Sequence, residues 1–168
     1  MTAHLKTAHQ ISTLLLNGEL SSIEVTTSVL SEIESKDKKI NAFISVDHEG
    51  ALKQAADVDA RRNAGDKLHP FAGIPIALKD VLCVKGGRTT CGSKILSEYI
   101  APYDATCVAR LRASDLVIIG KTNIDEFAMG SSNENSYFGP DGHRHSKSAA
   151  RYNTKFAHEK TPPNKVEL

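Results

Sequence analysis

The pattern that most constrains this chain lies between residues 73 and 121. "GIPIALKDV", starting at Gly73, and "DLVIIGK", starting at Asp115, are short apolar runs that read as buried strands. "YDATCVARLRAS", starting at Tyr103, separates them and carries helical spacing, with Asp104 as the expected N-cap. Strand, helix and strand in that order predict a βαβ unit, and with it an α/β sheet covered by helices.

The stretch before it reads as mainly helical. Thr7 with Gln10, and Ser21 with Glu24, have capping-box spacing. Ile11, Leu14 and Leu15 share one face of a first short helix that Gly18 closes, and Val25, Val29, Leu30 and Ile33 share one face of a longer second helix. The charged run "ESKDKK" ends that second helix or carries it into solvent. "NAFISV" reads as a short strand, and residues 49 to 64 as a third helix stopped by Gly65. "NIDEFAMGSS" has room for one more short helix. From Asp141 onward the apolar periodicity disappears, and the basic, histidine-containing end predicts a disordered, solvated tail.

At 168 residues, 40% of them hydrophobic and 24% charged, the chain suits one globular domain. No apolar run approaches the ~20 residues of a membrane-spanning helix, and the first ten residues lack the plan of a signal peptide. The expectation is therefore a cytoplasmic protein without membrane contact. A net charge of +1 gives no electrostatic reason to bind nucleic acid. Cys83, Cys91 and Cys107 form no Cys-x-x-Cys pair and are expected to be reduced, mostly buried thiols.

Among candidate chemical groups, Lys79 stands first, because it ends an apolar strand. Burial there would favour its neutral form, which can accept a proton and activate a serine hydroxyl. Pattern alone equally describes, and favours, a solvated lysine beside Asp80. The turn "VKGGRTTCG" offers backbone N–H groups but lacks phosphate-loop spacing, so it reads as a plain turn. Cys91 reads as a structural thiol, and the polar "GSSNENS" loop as a source of turns and caps. His143, His145 and His158 lie in the tail without a second shell, and no metal is assigned to them.

"FAGIPIALKDVLCVKGGRTTCGSKIL", "APYDATCVARL" and "VIIGKTNIDEFAMGSSNENSYFGP" together resemble the N-terminal part of the amidase-signature enzymes. Within them they resemble the branch of glutamyl-tRNA(Gln) amidotransferase A subunits. The resemblance covers residues 1 to 140 and implies an incomplete α/β fold: N-terminal helices, then the first strands and helices of a mixed-sheet domain. It implies that Lys79 is the base of a Ser–cis-Ser–Lys triad. Met129, Gly130 and Ser131 would then line the amide pocket. The implied reaction is glutamine hydrolysis that supplies ammonia for ATP-dependent conversion of Glu-tRNA(Gln) to Gln-tRNA(Gln). The implied partners are amidotransferase subunits B and C. No cofactor is implied for this chain, since ATP and Mg belong to the partner subunit.

The resemblance stops after "SYFGP". The family continues into a GGSSGGS segment with the bridging serine and an Asp-Thr-Gly-Gly-Ser segment with the nucleophile, and neither occurs in this sequence. Residues 141 to 168 are therefore expected to be unrelated sequence, such as a frameshift or a fragment end. The chain alone is expected to be inactive, and poorly folded because its strand edges are unpaired. Two other expectations remain open: a non-catalytic protein that binds the other amidotransferase subunits, and a remnant of another small-amide hydrolase.

Overall fold

The computed structural model describes residues 3–141. Apart from Asp141, the expected tail, with His143, His145 and His158, lies outside the described residues. Helix α1 (Ala8–Leu16) starts at Thr7 and α2 (Ser22–Ile40) at Ser21, each through the complete reciprocal capping box that the spacing predicts. Glu24 accepts the Ser21 N–H at 2.8 Å while Ser21 Oγ accepts the Glu24 N–H at 3.1 Å, so two otherwise orphaned donors are satisfied. The charged run carries α2 into solvent, and left-handed Asn41 ends it.

Strand β1 (Phe43–Val46), helix α3 (His48–Asn63), strand β2 (Pro75–Lys79), helix α4 (Thr106–Ala113) and strand β3 (Val117–Thr122) follow. The sheet order is β1-β3-β2, with β2 parallel and β1 antiparallel to β3. The expected βαβ unit is thus β2-α4-β3, in a mixed sheet whose central strand is β3.

Alternation along β3 builds both faces. Val117 and Ile119 pack against α2 and α3 with Leu30, Ala51 and Ala55, while Ile118 packs on the opposite face with Leu78 and Val108. A third cluster joins α1 to α2 through Ile11, Leu15, Leu20 and Val25. Helix α4 has eight residues, too few to be stable in water alone. Fully buried Val108 contributes about 1.5–3 kcal/mol of what holds it to the sheet.

Two sequence expectations need correction here. Asp104 does not cap α4. Ala105 takes the N-cap position without a side-chain bond, because the Asp104 carboxylate is committed elsewhere: to the Lys85 N–H at 2.7 Å and Arg112 Nε at 3.2 Å. The segment "NIDEFAMGSS" forms only a 3-10 turn at Glu126–Ala128, interrupted by left-handed Phe127 and Ala128.

Candidate active site

The parallel strands β2 and β3 end side by side, and each delivers a lysine near its C-terminal end. Leu78 pairs with Lys121, and Lys79 with Thr122. In open α/β sheets, the space beyond such strand ends is where ligands bind.

The two lysines have opposite environments. Lys79 is exposed and makes no side-chain hydrogen bond or ion pair among the described residues. Lys79 is thus solvated, the reading that pattern alone favours, and the buried lysine at these strand ends is Lys121, only 6% exposed. The cause is the face each side chain takes: Lys121 pairs with buried Leu78 and shares its face, whereas Lys79 pairs with Thr122 one position on and takes the other face. Asp80, which follows Lys79 in the chain, is 1% exposed.

Asp80 and Lys121 form an ion pair at 3.0 Å. The other Asp80 carboxylate oxygen accepts the Thr90 N–H at 2.9 Å and the Thr90 hydroxyl. Lys121 Nζ also donates to the Leu82 carbonyl at 2.7 Å and to Thr89 Oγ1 at 3.2 Å. The turn that reads as a plain one in the sequence therefore presents its N–H to an anion, and that anion is the protein's own Asp80. The sequence signal for this pair is available but easily passed over: "PIALK" and "VIIGK" are two strands with the same ending.

Cys91 is half-buried, Cys83 likewise, and Cys107 is exposed; all three are free. The expectation of mostly buried thiols is thereby corrected, because these cysteines lie in loops and on the outer side of α4. Burial pushes the Cys91 thiol up, Asp80 and Cys83 push it further, and Lys121 opposes them. A raised thiol is a poor nucleophile at neutral pH, in keeping with a structural role.

Beyond β3, a second loop closes against the first. The Phe127 and Tyr137 N–H groups donate to the Cys91 and Gly92 carbonyls, both at 2.8 Å, and Ser93 Oγ donates to Glu126 Oε1 at 2.6 Å. Residues 129 to 131 belong to this second loop. Lys79 and Met129, Gly130 and Ser131 thus sit on neighbouring loops and strand ends, without a hydrogen bond between them. Met129 is 74% exposed.

The loop is shaped by Asp125, a residue that no sequence motif singles out. Its carboxylate accepts backbone N–H groups from Ser132 at 3.1 Å, Asn133 at 2.8 Å and Asn135 at 3.1 Å. A Cβ on Gly130 would lie 2.3 Å from Asp125 Oδ2, so this position takes glycine. The Asn135 and Asn133 N–H bonds, in that order, hold the Asp125 carboxyl below its usual range.

A depressed folded value means stability that is present above the unfolded pKa of ~3.9 and lost as pH falls through the lower folded value. The Asn133 and Asn135 amides should therefore lose hydrogen-exchange protection below about pH 4. In Asp125→Asn that acid step disappears. Amide protection that persists unchanged to the lowest pH at which the sheet survives would contradict this account.

These features match known proteins. Residues 24–148 match the Amidase family. The chain is 55% identical over 136 residues to the A subunit of the glutamyl-tRNA(Gln) amidotransferase of Streptomyces coelicolor, covering 81% of this chain and 27% of that protein. It is 49% identical over 140 residues to its counterpart of the same name in Moorella thermoacetica, covering 83% and 29%. The chain thus spans less than a third of the length of these curated relatives.

Among solved structures, the peptide amidase of Stenotrophomonas maltophilia superposes with a TM-score of 0.74 at 32% identity, covering 82% of this chain and 29% of that one. A bacterial aryl acylamidase of the amidase-signature family gives 0.76 at 26%, covering 81% and 29%. With most of its length matched in sequence and over 80% of it superposing on such enzymes, the chain belongs to the Amidase family.

Proposed function

We propose that this chain carries the lysine-bearing part of an A-subunit-type glutaminase site, as in glutamyl-tRNA(Gln) amidotransferases. The observation that carries this reading is the 55% identity over 136 residues to a protein of that description. Residues 1–140 are the amidase-type part, and Lys79 is the base. It stands open at a strand end, where it can take a proton through a bridging serine while a second serine attacks the glutamine side-chain carbonyl. The acyl-enzyme that forms releases ammonia.

Met129, Gly130 and Ser131 border the amide. Gly130 brings backbone close to the Asp125 carboxylate, which fixes the loop but leaves Met129 free to move onto substrate. Subunits B and C receive the ammonia, with ATP and Mg bound at the partner, and the product is Gln-tRNA(Gln) in the cytoplasm. Because both serine segments are missing from this sequence, the 168-residue chain does not hydrolyse glutamine unaided.

The test is complementation. The chain is co-expressed with the remainder of the Streptomyces coelicolor relative, and ammonia release from glutamine is measured. The complemented pair should be active, the chain alone inactive, and Lys79→Ala in the pair should lower the rate about hundredfold or more. Hydrolysis by the chain alone, or a Lys79→Ala pair with an undiminished rate, would sink the proposal.

A further inference from the structure

We propose that the buried Asp80–Lys121 pair is a positioning and charge-balancing device for Lys79, so that Asp80 and Lys121 act on the base without touching substrate. This inference rests on the reading of Lys79 given above. Asp80 follows Lys79 directly and is tied down at every polar group. Its N–H donates to the Thr122 carbonyl at 3.2 Å, and its carbonyl accepts the Cys91 N–H at 3.2 Å. Its carboxylate is shared between Lys121 at 3.0 Å and Thr90. The Lys79 carbonyl in turn accepts the Leu82 N–H at 2.9 Å. The backbone from the Lys79 carbonyl onward is thus clamped, while its amine makes no bond among the described residues.

Charge supplies the second half of the argument. Buried ion pairs are poor stabilisers compared with apolar residues of the same volume, so stability alone is a weak reason to build one. A lysine that must release its proton is hindered by an adjacent uncompensated carboxylate, which favours the ammonium form. Lys121 cancels that carboxylate from the central strand. Both charges reach the surroundings with opposite sign: at Cys91, where burial is the largest influence, Asp80 pushes the thiol up and Lys121 pushes it down. Of the acidic groups on the facing loop, Glu126 is held by Ser93 and Asp125 by the loop's own N–H groups.

The test uses the full chain and trace acetylation by acetic anhydride at fixed pH. Mass spectrometry compares Lys79 with Lys53 and Lys67, both exposed. Asp80→Asn should raise the relative reactivity of Lys79, and Lys121→Met should lower it, each on the order of threefold. The Asp80→Asn, Lys121→Met double variant should return it near the starting ratio. A purely structural pair would move both single variants in the same direction or not at all, and that result overturns the proposal.

Should a single variant fail to fold, Thr90→Val decides, because it keeps both charges and loosens only the clamp. It should cost the Asp80 amide on the order of tenfold in exchange protection while the Val117 amide is unchanged. Equal protection at Asp80 in wild type and variant refutes the clamp. If the ratios move in opposite directions while hydrolysis in the complemented enzyme ignores Lys79→Ala, the device stands and the assignment of Lys79 as base falls.

Discussion

Replacing Asp80 by alanine is expected to destabilise the fold by about 3–5 kcal/mol, the cost of leaving a buried charge without its partner. Lys121 is 6% exposed and lies under the turn carrying Thr89 and Thr90. Without Asp80, its ammonium keeps neutral oxygen acceptors, Leu82 O, Thr89 Oγ1 and the longer Arg88 O, but no counter-charge. Thr90 simultaneously loses the acceptor for both its N–H and its hydroxyl. Adding Lys121→Met should recover most of the loss, because a neutral side chain carries no desolvated charge. Urea denaturation reads both steps: with m of about 1.5 kcal/mol/M, the single variant loses about 2–3 M in midpoint. If the double variant is as unstable as Asp80→Ala alone, the damage comes from lost packing or turn geometry, and the pair is not where the energy lies.

The second large effect is expected at Gly120, where the clash is with backbone. Here β3 passes β1 across an irregular register, with Val46 opposite Gly120 and Ser45 opposite Lys121. A Cβ at Gly120 would sit 2.3 Å from the Ser45 carbonyl oxygen and 3.1 Å from the Val46 Cα. Neither is the tip of a flexible side chain, so relief requires β1 to move away from the central strand. Overpacking costs about 1–3 kcal/mol, and a clash with backbone puts this site at the upper end, about 3 kcal/mol.

Hydrogen exchange localises the Gly120→Ala effect. The Asp47 N–H, bonded to the Ile119 carbonyl at 2.9 Å, and the Asn123 N–H, bonded to the Ala42 carbonyl at 2.8 Å, should lose on the order of a hundredfold in protection. Amides within α1, away from the sheet, should change much less. Unchanged protection at Asp47 and Asn123 would mean that β1 accommodates the methyl group at little cost.

Much of the architecture could be read directly from local chemistry. The two capping boxes, the three amphipathic helices and the apolar runs of β1, β2 and β3 are encoded within a few residues of where they act. Hydrogen bonds that close over three positions, and side-chain periods of 2 or 3.6, leave a trace in the linear order. Asp104 shows the limit: it has the right residue type at the right place for a cap, yet a backbone N–H nineteen positions back in the chain and an arginine on α4 take its carboxylate.

The site was legible in its parts and not in its arrangement. Lys79 at a strand end and the 129–131 loop are both visible in the linear order, and the family resemblance gives them roles. Which lysine is buried is a different kind of fact. "PIALK" and "VIIGK" have the same ending as text, and they diverge because the β2–β3 register pairs Lys121 with buried Leu78 and Lys79 with Thr122, which puts the two lysines on opposite faces of the sheet. That choice sends Lys121 into the interior to meet Asp80, forty-one positions away in the chain, and leaves Lys79 in solvent. The sequence by itself determined most of the secondary elements and the family, and supplied the resemblance from which Lys79 is proposed as the base. Tertiary structure alone decided which charges are desolvated and paired, because burial and Coulomb energy depend on distance in space, and strand pairing and register set those distances.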